Sequence, residues 1–259
     1  MGNCNTTSNK WSEIPYPGQK RPYHGVEPGA GTWPLNYLKR DCKGNFLGPS
    51  GENIALAIVN PGVFNFDTEL IGVEKVQSQV TPEQISMAKY WAGAIVNKIA
   101  NVVLTLTDTY KISPPRAARI MSTVINTLND TTIVTFNYKY LWDYPRPNQL
   151  NPGLKTVLNT PAHPTYPSGH STGLSAAFVV LSYYFPEEEE KLNRLAEEAS
   201  ISRFYGGIHF MSDLTEGMRL GRFIGNTVVR YLKTQSDGDG AMVDFPKEEF
   251  MDAPIMPKY

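Results

Sequence analysis

The sequence has little with which to build a disulfide or a zinc site. Its 259 residues include two cysteines, Cys4 and Cys42, both in the N-terminal region and without ligand spacing. Neither a covalent staple nor a metal cluster is expected from them. Long apolar runs are also missing. The richest stretch, Ile95 to Leu106, is broken by Asn97, Lys98, Asn101 and Thr105, whereas a membrane span needs roughly 18 uninterrupted apolar residues. No excess of charge exists, since the net value is −1. That excludes a global basic field for nucleic acid or acidic membranes, so any anion binding must be local. The first residues lack the apolar core of a secretion signal, and a soluble, cytoplasmic protein is the expectation. They do fit a short and common acylation pattern, Met1-Gly2 followed by Thr6 with Cys4 between. Neither an alternating strand pattern of any length nor an internal repeat is present.

What remains is an ordinary globular composition, 41% apolar and 19% charged, in a chain long enough for one large core or two small ones. Residues 1–80 are rich in Pro, Gly and Asn and read as an irregular arm packed on the main body, with short helices, one of them near Glu52–Val59. The character changes at Thr81-Pro82-Glu83-Gln84, where an N-cap, a first-turn proline and a capping-box glutamine coincide. Behind it, Ile85, Ala88, Trp91, Ile95, Ile99, Val102 and Leu106 form the stripe of one long amphipathic helix. Ser113-Pro114-Pro115 opens a second, running to about Leu141. A Pro- and Asn-rich loop follows, and Ser168 then caps a third helix over Gly169–Tyr184. Pro186 stops it and opens a fourth, where Glu187–Glu190 suit the positive end of the helix dipole and read as a solvated face. A last helix spans about Ser212 to Leu232, and the polar tail from Thr234 is expected on the surface or partly disordered. The predicted fold is all-α: a helical bundle of four to six helices over 81–233, with an N-terminal arm at 1–80 and a tail at 234–259. A homodimer is compatible with such a bundle.

Three clusters carry chemistry. Ser168-Gly169-His170 stands where a loop becomes a helix. The first N–H groups of a helix have no intrahelical acceptor, and with the dipole they form an anion site; taken alone the cluster is equally an ordinary capped helix start. Arg203, His209 and Asp213 lie close in sequence. On a helix, positions 209 and 213 share a face, and a carboxylate on one ring nitrogen fixes the tautomer and leaves the other for attack or ligation. Gly206-Gly207 suggests the bend that presents His209. Lys139 and Arg146 are seven apart and would converge only if the break at Pro145 and Pro147 turns the chain inward. Together these residues are the inventory that a tetrahedral oxyanion needs.

The three clusters, Lys139-x6-Arg146-Pro147, Pro167-Ser168-Gly169-His170 and Ser202-Arg203-x5-His209-x3-Asp213, resemble the signature of the type 2 phosphatidic acid phosphatase and vanadium haloperoxidase superfamily. Every signature position is present. The resemblance implies a helical-bundle core. Lys139, Arg146 and Arg203 would bind the equatorial oxygens, with Ser168 and the Gly169 N–H. His209 would be the apical group, held by Asp213, and His170 the acid–base on the opposite side. It implies one of two chemistries. In one, vanadate held on His209 as its only protein ligand supports oxidation of a halide by hydrogen peroxide. In the other, a soluble acid phosphatase without cofactor hydrolyses phosphate monoesters through a phosphohistidine at His209. Ala162-His163-Pro164-Thr165-Tyr166 before the second cluster resembles haloperoxidases, in whose bromide-oxidising members a histidine stands seven residues before the motif histidine, as His163 precedes His170. His163, Tyr166 and Trp142 are therefore the candidates for a halide or substrate pocket. The YPRPNQL form of the first cluster and the single bundle point to the phosphatase, which stands as the alternative to the expected haloperoxidase-like enzyme oxidising bromide.

Overall fold

The computed structural model describes residues 10–259, and Cys4 and the Met1–Thr6 acylation pattern lie outside them. Eight helical segments form the architecture: α1 (Phe66–Ser78), α2 (Pro82–Trp91), α3 (Ile95–Thr109), α4 (Pro114–Trp142), the single turn α5 (Pro147–Leu150), α6 (Gly169–Tyr184), α7 (Glu189–Tyr205) and α8 (Met211–Leu232). The strands among the described residues are a two-residue antiparallel pair, β1 (Lys39–Arg40) and β2 (Phe46–Leu47). The fold is all-α, and no described helix is long and apolar enough to cross a membrane.

The central element is α6. Ser168 caps it, its hydroxyl accepting from the Ser171 N–H at 3.3 Å. Leu174, Ala176, Ala177, Val180 and Leu181 on it are fully buried among α4, α7 and α8. One face of α6 carries Ser, Thr and Ala, and α8 meets that face with Gly217, Gly221 and Gly225. A Cβ at 217 would lie 2.9 Å from the Ser168 carbonyl oxygen, and one at 221 only 2.2 Å from that of Thr172. Glycine is thus required for the close approach of the two backbones. This contact also ties the two ends that matter, since the Ser168 N–H donates to the Asp213 carbonyl at 2.9 Å.

The arm is bound to the bundle by a buried carboxylate. Asp130 on α4 accepts from the Asn36, Tyr37 and Leu38 N–H groups at 2.7–2.8 Å. At its start, the Gln149 amide donates to the Trp11 and Ile14 carbonyls.

Four sequence-based expectations are corrected. No helix forms at 52–59; Ile54, Leu56 and Ile58 alternate along an extended chain and pack beside Leu38, Phe46, Val134 and Ile224, so their period is two and not 3.6. The arm's helix stands instead at Phe66–Ser78, capped by the Asn65 side chain. The single helix expected from 81 is two. In a continuous helix the Trp91 carbonyl would accept from the residue-95 N–H, but here it accepts from His170 Nε2 at 3.0 Å, and Gly93 lies in the break. The acidic run is not wholly solvated. Glu188 is fully buried, accepting from Tyr110 and the Ala253 N–H and pairing with Lys191 at 2.8 Å. The tail is docked: Arg119 grips buried Asp244 through both carboxylate oxygens, and Ala253 and Ile255 enter the core.

Gly221→Ala should cost about 1–3 kcal/mol of stability by overpacking the α6–α8 contact, read from denaturant midpoints. Unchanged stability would mean that the two helices can separate without loss.

Candidate active site

The cations converge because α4 ends abruptly. Asp143 adopts a left-handed conformation (φ 53°), and Arg146 is extended (φ −82°, ψ 158°), so the chain doubles back beside α4. Lys139 and Arg146 thereby become neighbours, both fully buried. Lys139 Nζ donates to the Pro164 and Thr165 carbonyls, each at 2.7 Å, leaving one of its three protons unassigned. Burial and the Arg146 charge hold its ammonium well below the usual lysine range.

Arg203 enters from the last turn of α7. Two of its N–H groups have partners, Ser202 Oγ at 3.0 Å and the Ala88 carbonyl at 2.9 Å; a guanidinium has five. Burial lowers its pKa to about 10. The bend predicted at Gly206-Gly207 is present. Gly207 has φ 74°, and a Cβ there would meet the Gln77 amide carbon at 2.8 Å. The bend delivers His209 in the loop just ahead of α8.

His209 and Asp213 meet as the spacing required, Nδ1 to Oδ2 at 2.7 Å. The same carboxylate oxygen accepts from Thr165 Oγ1 at 2.5 Å and the Phe210 N–H at 2.9 Å. Burial raises the Asp213 pKa to about 6, against the pull of Thr165 and Lys139. Burial and the Arg146 and Lys139 charges push the His209 pKa well down. At neutral pH this is a carboxylate beside a neutral ring, so Nδ1 carries the proton and Nε2 the lone pair. That lone pair accepts from Arg146 Nη1 at 3.0 Å.

His170, at the start of α6, donates from Nε2 to the Trp91 carbonyl, which leaves Nδ1 as its base. Burial and the Arg203 charge lower its pKa to about 3. His163 Nδ1 lies 3.0 Å from Arg146 Nη2 and 3.1 Å from the Pro164 carbonyl. A guanidinium is always a donor, so Nδ1 is bare and Nε2 bears the proton. Burial and the Lys139 and Arg146 charges hold this ring neutral too.

A cavity of about 530 Å³ opens over this floor, lined by Lys139, His163, Gly169, His170, Arg203 and His209 among others. Two predicted oxyanion contacts are turned elsewhere. Arg146 lies behind His209 and His163, donating also to the Ile208 carbonyl at 2.7 Å, and Ser168 serves the first turn of α6. Two predicted pocket residues do not line the cavity. Tyr166 is fully buried with its hydroxyl on the Val59 carbonyl, and Trp142 stacks on Tyr138 at 4.5 Å. Residue alternation in the loop points Tyr166 away from its neighbours Thr165 and His163. Sequence reasoning missed Thr165 and the α2 carbonyls of Ala88 and Trp91. Thr165 had a signal, its place inside the motif loop, whereas backbone carbonyls have none.

The bundle thus sets buried cations, a helix N-terminus and a carboxylate-fixed histidine around one cavity, an arrangement chemically suited to an oxyanion. Residues 120–237, which hold every motif residue, match the PAP2 superfamily model. Three solved structures share the fold. A bacterial vanadium-dependent iodoperoxidase aligns at TM-score 0.68 and 23% identity, over 86% of this chain and 60% of that one. A bacterial vanadium-dependent chloroperoxidase aligns at 0.64 and 12%, over 80% and 55%. A transmembrane PAP2-type phosphatidylglycerolphosphate phosphatase from Bacillus subtilis aligns at 0.53 and 14%, over 67% and 88%. The chain thus spans less than two thirds of either peroxidase's length. No curated protein matches it in sequence.

The pKa directions predict acid lability of the anion-free protein. His163, His170 and His209 are all lowered when folded, so below about 6.5 the unfolded chain takes up protons that the folded one refuses. Asp213, raised to about 6, opposes this by one proton. Asp130, raised by burial as well, opposes it further. The three rings outweigh the two carboxyls, so stability should fall by on the order of 1–3 kcal/mol per pH unit between pH 6 and 5, measured by denaturant midpoints. A flat profile would show that these rings are not buried as neutral groups.

Proposed function

We propose that this chain is a vanadate-dependent haloperoxidase-type enzyme, oxidising a halide such as bromide with hydrogen peroxide. The observation that carries the oxyanion part is charge. Lys139, Arg146 and Arg203 are buried, and the chain sets one carboxylate, Asp213, among them. Burying unpaired charge is costly, so a multiply charged anion is the natural complement. The donor set fits vanadate. Arg203, the third proton of Lys139 and the first N–H groups of α6 at Gly169 and His170 face one cavity with His209. When bound there, vanadate supplies a Lewis acid that activates peroxide without changing oxidation state.

The chain's own residues do the rest. Asp213 holds Nδ1–H of His209 and keeps Nε2 for ligation. Arg146 donates to that Nε2 in this structure, so ligation there would require its guanidinium to give way. His170 gives and takes protons at Nδ1, its pKa rising as negative charge comes near. His163 supports the halide reading: it lines the cavity with Nε2 protonated and is locked by Arg146, which makes it a donor for a halide.

The same geometry supports phosphatase chemistry as the second reading. His209 Nε2 would bond to phosphorus as the ester P–O bond breaks, with His170, protonated at Nδ1 once the bound anion raises its pKa, giving that proton to the leaving oxygen. His170 would then take a proton from water as the water oxygen bonds to phosphorus and the P–Nε2 bond breaks, releasing phosphate. His170 lines the same cavity as His209, which favours this role.

One metal-stripped preparation separates the readings. Half receives a chromogenic phosphate monoester, half receives orthovanadate, peroxide, bromide and a brominatable dye. Vanadate-dependent bromination above that of free vanadate is the expected outcome; phosphate release inhibited by vanadate, without bromination, would replace it with the acid phosphatase. His209→Ala should abolish either activity, and Asp213→Asn should lower it roughly 10–100-fold by disturbing the tautomer. Wild-type rates in Asp213→Asn would reduce Asp213 to a helix cap.

A further inference from the structure

We propose that the site takes an apolar organic body, about the size of two fused rings, directly beside the oxyanion. This rests on the oxyanion reading above. The cavity holds about 530 Å³, while a five-atom oxyanion fills the space of roughly three waters, about 90 Å³. Most of the space therefore belongs to something else. Its charged groups lie together at the buried floor, whereas Leu128, Phe136, Leu158 and Ile208 contribute apolar wall from three separate segments, with Ile95 nearer the mouth. Bromide, peroxide and water gain nothing from such walls. A pocket of this size, mainly apolar with a few convergent polar groups, suits an organic ligand. The body arrives either as the ester group of a phosphate-type anion or as a separate uncharged acceptor beside a bound oxyanion.

Calorimetry on the metal-free protein distinguishes the two sources. Inorganic phosphate, methylphosphonate, phenylphosphonate and 1-naphthylphosphonate are titrated in turn, and 2-naphthol is titrated into vanadate-saturated protein. Affinity rising at least roughly tenfold from methyl to naphthyl supports the attached body, and saturable 2-naphthol binding with a flat phosphonate series supports the separate one. Thr132→Trp, at the exposed rim, should remove either gain and leave phosphate affinity unchanged. Phosphate binding with a flat series and no naphthol binding would overturn the proposal. Absence of phosphate binding would overturn the oxyanion reading itself.

Independently, the geometry points to α2 and Tyr259 as positioning elements for His170. The carboxyl end of α2 lies outside the PAP2-matched segment, yet its Trp91 carbonyl holds His170 Nε2 and its Ala88 carbonyl holds Arg203. Trp91 is held in turn: its indole N–H donates to Tyr259 Oη at 3.2 Å, and that hydroxyl donates to Glu198. The Tyr259 ring meets Tyr90 edge-on at 5.4 Å. Just beyond Trp91 the helix breaks at Ala92-Gly93-Ala94, so this clamp fixes an end that would otherwise fray.

Tyr259→Phe removes the hydroxyl and keeps the ring. In ¹⁵N spectra of the metal-free protein, wild-type His170 should be the Nε2–H tautomer, and the variant should show a mixture. Its kcat should fall about 3–10-fold at unchanged KM, in whichever of the two assays is active. A pure Nε2–H tautomer in Tyr259→Phe, with lowered thermal stability alone, would overturn the positioning role.

Discussion

Three buried cations set against one carboxylate are the constraint on which the rest of the molecule turns. Lys139, Arg146 and Arg203 come from α4, from the chain just after it and from α7. Nothing in a helical core welcomes a charge, and the protein meets the difficulty with backbone carbonyls. Those of Pro164, Thr165, His163, Ile208 and Ala88 each accept from one of the three. Carbonyl dipoles lessen the desolvation of a cation without cancelling its charge, which is why the pocket keeps a net attraction for anions. The same field drives His163, His170 and His209 neutral, and so keeps bare nitrogens ready for ligation or proton transfer.

Holding carbonyls and cations at hydrogen-bond distance demands a rigid frame. The close approach of α6 and α8 through Gly217, Gly221 and Gly225 supplies it, because the first turn of α6 carries Ser168 and His170 while the first turn of α8 carries Asp213. Elements outside the PAP2-matched segment complete the work. The break between α2 and α3 frees the Trp91 carbonyl for His170, and the arm is held at Trp11 and at residues 36–38 by Gln149 and Asp130 of the matched segment.

Much of this was legible beforehand. Caps and prolines located α4, α6 and α8 to within a residue or two, since those signals are local. The spacing of eight positions pointed to one site: Lys139, Gly169, His170, Arg203 and His209 line its cavity, Arg146 and Asp213 stand against His209, and Ser168 is turned into the first turn of α6. Misreadings had a common origin in contacts distant along the chain. Ile54, Leu56 and Ile58 follow a surface made by α4 and α8, Glu188 is claimed by residues of the tail, and Trp91 gives its carbonyl to a ring 79 positions away.

The sequence by itself determined the helical class, the boundaries of α4, α6 and α8 and the pairing of His209 with Asp213, because caps and a four-residue spacing act within a turn or two of backbone. Only the tertiary structure decided which side chains face the cavity. Tyr166 and His163 sit three apart in one loop, yet the first is buried against the arm and the second lines the site. It also decided that Arg146 rests on His209 Nε2 and that α2 supplies the acceptor for His170. Those choices depend on where distant backbone carbonyls fall once the helices pack, and carbonyls leave no mark in a sequence.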